Sequence, residues 1–390
     1  MINLKRLIAL FGIVFTLVFI YVYHTHVLAM VKFPHKREIR LFPKSMDEKI
    51  HVIAPVAASN GAVTIAWEKI DKGRLLPPER GFPDGRPVIT VIAGRWSEAN
   101  NDLKISEFDD EMLNGLHHYI NSSGNFIFYH KRSDVLEEPW NMTIFDIHQK
   151  KIINSFPPMG ENLRNYHKKN FYFEDQEGDV FLITIAQYSH PSPGESICIV
   201  QKYNVRKNLV EDVGRVFIPC GFGIPEDVHP IGDEHKIAIF GIAFALYIVD
   251  LDTMEIATEI PHPHKMSLIY GGITKDGKIA YAGGSTCDIG KYDVIGKRLL
   301  QKVYASPTGR DLYGYRPTAI RLSPDEQWLA VGTGPMGDTY LFQTKDMSLK
   351  KVLKHYTTVS ALFFSPDSSH IAVEASGVVR IWAVAGGGSL

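Results

Sequence analysis

Histidine is the residue type in this chain with the widest chemical reach. His51, His117, His118, His167, His229, His264 and His355 each lie just before or within a short apolar run with strand composition. A neutral imidazole can ligate a metal, act as a base or attack as a nucleophile, and an imidazolium binds anions. If such strands line one channel, His118, His167 and His229 are the side chains that can converge on a metal ion. With Arg316 beside them they would bind an anionic substrate, the guanidinium stabilising developing negative charge. The plainer reading is that some of these histidines are hydrogen-bonded within their own structural units. Their offsets from the neighbouring turns differ, so a ring of histidines is not implied. No Walker loop, dinucleotide-binding glycine pattern, Gly-x-Ser-x-Gly elbow or His-Glu-x-x-His pair occurs.

A second set of residues points to recognition rather than catalysis. Arg95-Trp96 lies in a polar stretch between two expected strands, and Arg and Trp are enriched at interface hot spots. Three Pro-rich insertions interrupt the pattern of strands. One runs from Leu76 to Gly85 and contains Pro78 and Phe82, one from Val135 to Trp140, and one from Ser189 to Gly194 with Pro191 inside it. Long loops on a rigid scaffold commonly carry binding residues, although they can also be tolerated surface variation.

The elements that position these residues are legible from a repeat. Leu322-Ser323-Pro324-Asp325-Glu326 returns as Phe364-Ser365-Pro366-Asp367-Ser368, followed in each copy by an apolar strand, a loop and a second strand ending near Phe342 or Trp382. A unit of this kind with a period of about 42 residues is one propeller blade. Earlier first hairpins are expected at Asn60-Gly61, Ser123-Gly124, Glu177-Gly178, Asp233-Glu234 and Asp276-Gly277. Third strands are expected to close at Asp146, Asn204, Asp250 and Asp293, where an acid or amide suits a tight turn. The fold class is therefore all-β, a seven-bladed propeller over 48–385. The last unit has only three strands, so a segment near Glu38–Phe42 or Ile50–Ala54 is expected to pair with it and close the ring.

Over about 310–385 the chain resembles the WD-repeat propellers, and more loosely the related propellers of the periplasmic type. His355 and His264 stand where that family has the His of its Gly-His pair, and Trp382 matches the family Trp, with Ala383 in place of the usual Asp. The resemblance implies a binding platform. His117-His118 followed by Gly124-Asn125 is similar to a pattern of arylsulfotransferase-type propellers, which implies a channel histidine that accepts a sulfuryl group. Tyr119 replaces that family's Asp.

Leu7 to Tyr23 is an unbroken apolar run, and extended to Val31 it reaches the roughly 20 residues that span a bilayer core. A cleaved signal peptide is the competing reading, with Lys5 and Arg6 before the run and Val27-Leu28-Ala29 after it. The longer apolar run favours an uncleaved signal anchor over 1–31, contacting lipid through 7–31, with a juxtamembrane linker over 32–47. The propeller is expected on the extracytoplasmic side. The sequons at Asn121 and Asn141 agree with that side but decide little. The tail 386–390 reads as a flexible linker.

Net charge is −1, which argues against a nucleic-acid partner. Three scattered cysteines allow at most one disulfide. No cofactor is implied by any motif. The expected function is a single-pass, membrane-anchored propeller acting as a protein-interaction scaffold or accessory subunit, its partner another membrane protein. The alternative is a membrane-tethered enzyme or enzyme subunit with a His-lined channel, of sulfuryl-transfer, metal-dependent or quinoprotein-type oxidoreductase chemistry.

Overall fold

The computed structural model describes the strands between residues 37 and 384 and most turns from residue 245 onward; side chains are described for most positions from Asp227 to Val384 and for a few earlier ones. The expected anchor over 1–31 and the tail over 386–390 lie outside the described residues. Among the described residues no helix is long and apolar enough to cross a membrane.

The described residues form seven four-stranded antiparallel sheets. Sheet 1 is β2 (Glu48–Ala57), β3 (Val63–Leu75), β4 (Pro87–Ser97) and β5 (Asp102–Phe108). Sheet 2 is β6 (Gly115–Ile120), β7 (Phe126–Lys131), β8 (Asn141–Asp146) and β9 (Lys151–Phe156). Sheet 3 is β10 (Lys168–Glu174), β11 (Val180–Ala186), β12 (Glu195–Asn204) and β13 (Leu209–Pro219). Sheet 4 is β14 (Asp227–Ile231), β15 (Lys236–Ile242), β16 (Ala245–Asp250) and β17 (Glu255–Pro261). Sheet 5 is β18 (Leu268–Ile273), β19 (Ile279–Gly284), β20 (Asp288–Asp293) and β21 (Arg298–Tyr304). Sheet 6 is β22 (Pro317–Leu322), β23 (Trp328–Thr333), β24 (Asp338–Gln343) and β25 (Ser348–Lys354). Sheet 7 is β26 (Val359–Phe364), β27 (His370–Ala375), β28 (Val378–Ala383) and, from the other end of the chain, β1 (Arg37–Arg40).

β1 pairs antiparallel with β28, Arg37 opposite Ile381 and Arg40 opposite Val378. Of the two segments expected to complete the last sheet, Glu38–Phe42 therefore overlaps the one that does, and Ile50–Ala54 lies inside β2. Within the stretch 32–47, residues 37–40 cover the edge of β28 that a three-stranded last sheet would expose.

First strands of neighbouring sheets touch: β14 with β18, β18 with β22, β22 with β26, and β2 with both β26 and β6. They are therefore interior, and the last strands are peripheral. Burial follows. In β15, Ile237, Ala238, Ile239 and Phe240 are all buried, because both faces of a middle strand are covered by adjacent sheets. Such strands read as continuous apolar runs. In β17 only alternate positions turn inward, Glu255, Ala257 and Glu259 being exposed. The cores lie between sheets. One joins Ile183, Val216 and Ile218 of sheet 3 to Val228 and Ile239 of sheet 4, and another joins Phe240 and Leu246 to Ala282 and Tyr292 of sheet 5.

The repeated pentad is a turn that locks itself. Thr274, Ser323 and Ser365 donate to Asp276, Asp325 and Asp367 at 2.8, 2.5 and 2.6 Å. The same hydroxyls accept the N–H of Ile279, Trp328 and His370 at 3.1, 2.9 and 2.9 Å, fixing where the second strand starts. The fourth turn residue is left-handed: Gly277 at φ 69°, Glu326 and Ser368 at φ 60°. Side chains at that position cost energy, and here they bridge sheets. Glu326 accepts the Lys275 N–H at 2.5 Å, and the Ser368 hydroxyl accepts the Asp325 N–H at 3.0 Å. Third strands end at their acids for a similar reason. Asp146, Asp250 and Asp293 accept turn N–H groups of Gln149, Thr253 and Gly296 at 2.8, 3.1 and 2.9 Å.

Candidate functional site

The interior first strands of sheets 4, 5 and 6 are joined by one buried carboxylate. Asp227 and His229 are two residues apart in β14 and share a face, while Val228 between them belongs to the core with sheet 3. Asp227 Oδ1 lies 3.1 Å from His229 Nε2. Its Oδ2 accepts from Arg321 of β22 at 2.7 Å and from the Gly271 N–H of β18 at 3.4 Å. The same guanidinium nitrogen donates to the Ile320 carbonyl at 2.7 Å. The His229 ring meets Phe240 edge-on, with centroids 5.8 Å apart. Residue 271 has to be glycine: a Cβ there would stand 2.1 Å from the Phe240 ring.

Burial by itself would raise the Asp227 pKa, but the charges and hydrogen bonds of Arg321 and His229 outweigh it and hold the carboxyl at about 2. The group is therefore ionised at every physiological pH. Its side chain is 6% exposed, against 22% for His229 and 32% for Arg321. Chemically this is a clamp: a desolvated anion fixes an imidazole and a guanidinium that both keep some access to solvent. It ties three sheets together.

Of the expected site residues, His229 belongs to this cluster. Arg316 immediately precedes β22, and the guanidinium that meets Asp227 is that of Arg321, five positions later. The signal for Arg321 was a lone charge inside the apolar strand Pro317–Leu322, and for Asp227 an acid two residues from a histidine. His118 lies in β6 at a register irregularity between Leu116 and Tyr119. His167 lies outside the described residues, immediately before β10. Arg95 and Trp96 are not between strands. They belong to β4, opposite Thr64 and Val63, because β4 continues through Gly94 to Ser97 before turning. Pro78, Phe82, Trp140 and Pro191 lie outside the described residues, in the connections 76–86, 132–140 and 187–194. Each of those links the second strand of its sheet to the third.

His355, matched above to a Gly-His position, is buried, and its N–H donates to Asp338 at 3.3 Å. Its ring meets Trp382 edge-on at 6.0 Å, and Arg380 approaches Nδ1 at 3.4 Å. Asp338 also accepts from Lys354 at 2.7 Å. The Ser365 hydroxyl serves its own turn instead. Among the described residues no three His, Cys, Asp or Glu side chains gather to hold a metal ion. Cys287 is buried and forms no disulfide.

No family model and no curated protein matches the chain. Solved structures do. A chain in the crystal structure of a mitotic checkpoint complex superposes with a TM-score of 0.58 at 12% identity, covering 90% of this chain and 96% of that one. At that identity the likeness concerns fold. Together with the seven antiparallel sheets it makes this an all-β, propeller-like protein.

Proposed function

We propose that the seven sheets are the blades of one closed ring, held to a membrane by residues 7–31, and that this propeller is a protein-interaction scaffold or accessory subunit of a membrane complex. The observation that carries the reading is the likeness over nine-tenths of the chain to a component of a multi-protein complex. The contacts of β2 with both β6 and β26, and the pairing of β1 with β28, support ring closure. Long connections on sheets 1–3 supply surface for a partner. Tethering raises the local concentration of any partner in the same bilayer, so a modest contact suffices.

The enzyme reading keeps one specific support, the orientation of His229 by Asp227 beside Arg321. A carboxylate in that position steadies the imidazole ring and fixes its orientation.

The test is purification of the full-length protein from its native membrane in mild detergent, with mass spectrometry and elemental analysis of the same sample. A membrane protein recovered in fixed proportion, without metal, is expected. A lone chain carrying metal or an organic cofactor would overturn the scaffold reading and make His118, His167, His229 and Arg321 the first residues to replace.

A further inference from the structure

The direction in which the chain enters the ring has a consequence for how the molecule lies on a bilayer. Strands alternate in direction, so the connections from first to second strand and from third to fourth strand share one face of the ring. β28 ends on that face at Ala383, and β1 runs antiparallel to it, starting with Arg37 beside Ile381. The chain before Arg37 therefore leaves from the face that carries the short turns. The five residues 32–36 between the anchor and β1 reach roughly 17 Å when extended, so the turn face is the one held nearest the membrane.

One corner differs from its neighbours. In sheet 5 the turn Val294–Lys297 carries Ile295 with 73% of its surface exposed, more than any other large apolar residue described. Around it on the same sheet stand Lys275, Lys278, Lys297 and Arg298, all exposed. Asp276, Asp293 and, reaching over from sheet 6, Glu326 offset part of that charge, at Lys278 (3.0 Å), Arg298 (3.4 Å) and the Lys275 N–H (2.5 Å). The corresponding turns to either side are acidic, with Asp250, Asp252 and Glu255 on sheet 4 and Asp325, Glu326 and Asp346 on sheet 6. An exposed aliphatic tip ringed by cations fits the interface of a bilayer with anionic headgroups, where the tip enters the acyl boundary and the cations stay among phosphates.

We propose that the Ile295 corner of sheet 5 rests on the lipid surface, so that the ring meets the membrane by its turn face and presents its long connections away from it. This inference rests on the anchoring reading above.

The test uses the full-length chain in vesicles containing a phosphatidylglycerol-type anionic lipid with brominated acyl chains. Ile295→Trp and Thr308→Trp each add one tryptophan, the second at an exposed position in the connection 305–316 on the opposite face. Bromine is expected to quench the added Trp in the first variant at least roughly twofold more than in the second. Adding Lys275→Glu, Lys278→Glu and Lys297→Glu to the first variant should abolish the excess while flotation with vesicles and the thermal midpoint stay unchanged. Flotation with equal quenching in the two variants would overturn the corner contact and leave the anchor standing. Failure of the wild-type chain to float would overturn the anchor, and this inference with it. Excess quenching that survives in purely zwitterionic vesicles would overturn the role given to the cations.

Discussion

The two faces of the ring are built on opposite principles. On the turn face every connection within a sheet is four or five residues, from 58–62 and 98–101 in sheet 1 to 323–327 and 344–347 in sheet 6. Sheets 5 to 7 are stitched there by hydrogen bonds between neighbours: Lys275 to Glu326, Asp325 to Ser368, Lys291 to the Thr344 carbonyl and Lys351 to the Ala383 carbonyl. On the other face the connections vary. Those from second to third strand span 76–86, 132–140 and 187–194 in sheets 1 to 3, but only 243–244 and 376–377 in sheets 4 and 7. A turn that satisfies its own backbone groups tolerates no insertion, whereas a long connection adds closure entropy only slowly with length. One face therefore sets the geometry, and the other is free to vary in length.

The strongest test of this division lies in the interior, beneath both faces. Asp227→Asn removes the charge that Arg321 and His229 share, and is expected to cost about 2–3 kcal/mol by chemical denaturation. The folded pKa of about 2 lies below the usual 3.8. The wild type should thus hold this stabilisation above pH 4 and lose about 2 kcal/mol of it as pH falls from about 4 to about 2. The Asn variant should lack that component of the acid limb. An unchanged acid limb would remove the clamp from the list of features that hold the ring.

Gly271→Ala is next, at about 1–3 kcal/mol, because Phe240 must leave its place. A smaller partner, Phe240→Leu, should recover part of the loss in the double variant, and a purely additive result would contradict the contact.

On the turn face, Ser365→Ala should cost about 1 kcal/mol by stranding the His370 N–H, while Asp367 keeps its hydrogen bonds from Ser369. Replacing 76–86 by a short Gly-Ser connection should fall within about 0.5 kcal/mol of wild type in stability while reducing partner recovery in co-purification. If that shortening destabilises the protein as much as the serine change, the contrast between the faces fails.

Much of this architecture is present in local sequence. Ser-x-Asp at a hairpin specifies the turn through hydrogen bonds spanning two and five residues, so the start of β23 and β27 follows from the pentad. Asp146, Asp250 and Asp293 end their strands because each caps the turn that follows it. Arg95-Trp96 was misplaced because Gly94 and the polar residues after Ser97 look like a loop, while pairing with both β3 and β5 carries the strand through them. The site was less legible. His229 is legible as a strand histidine, but its neighbour Arg321 is not, since that depends on which side chain faces Asp227 across sheet 5.

By itself the sequence determined the repeat, the turns, the apolar middle strands and the three-stranded last unit, all of which depend on neighbours within about ten residues. Tertiary structure alone decided that Arg321 meets Asp227 across 94 positions, that β1 rather than the start of β2 completes sheet 7, and that the chain enters on the turn face. Those contacts join segments that only the packing of sheet on sheet brings together, and no local pattern encodes the angle at which one sheet packs on the next.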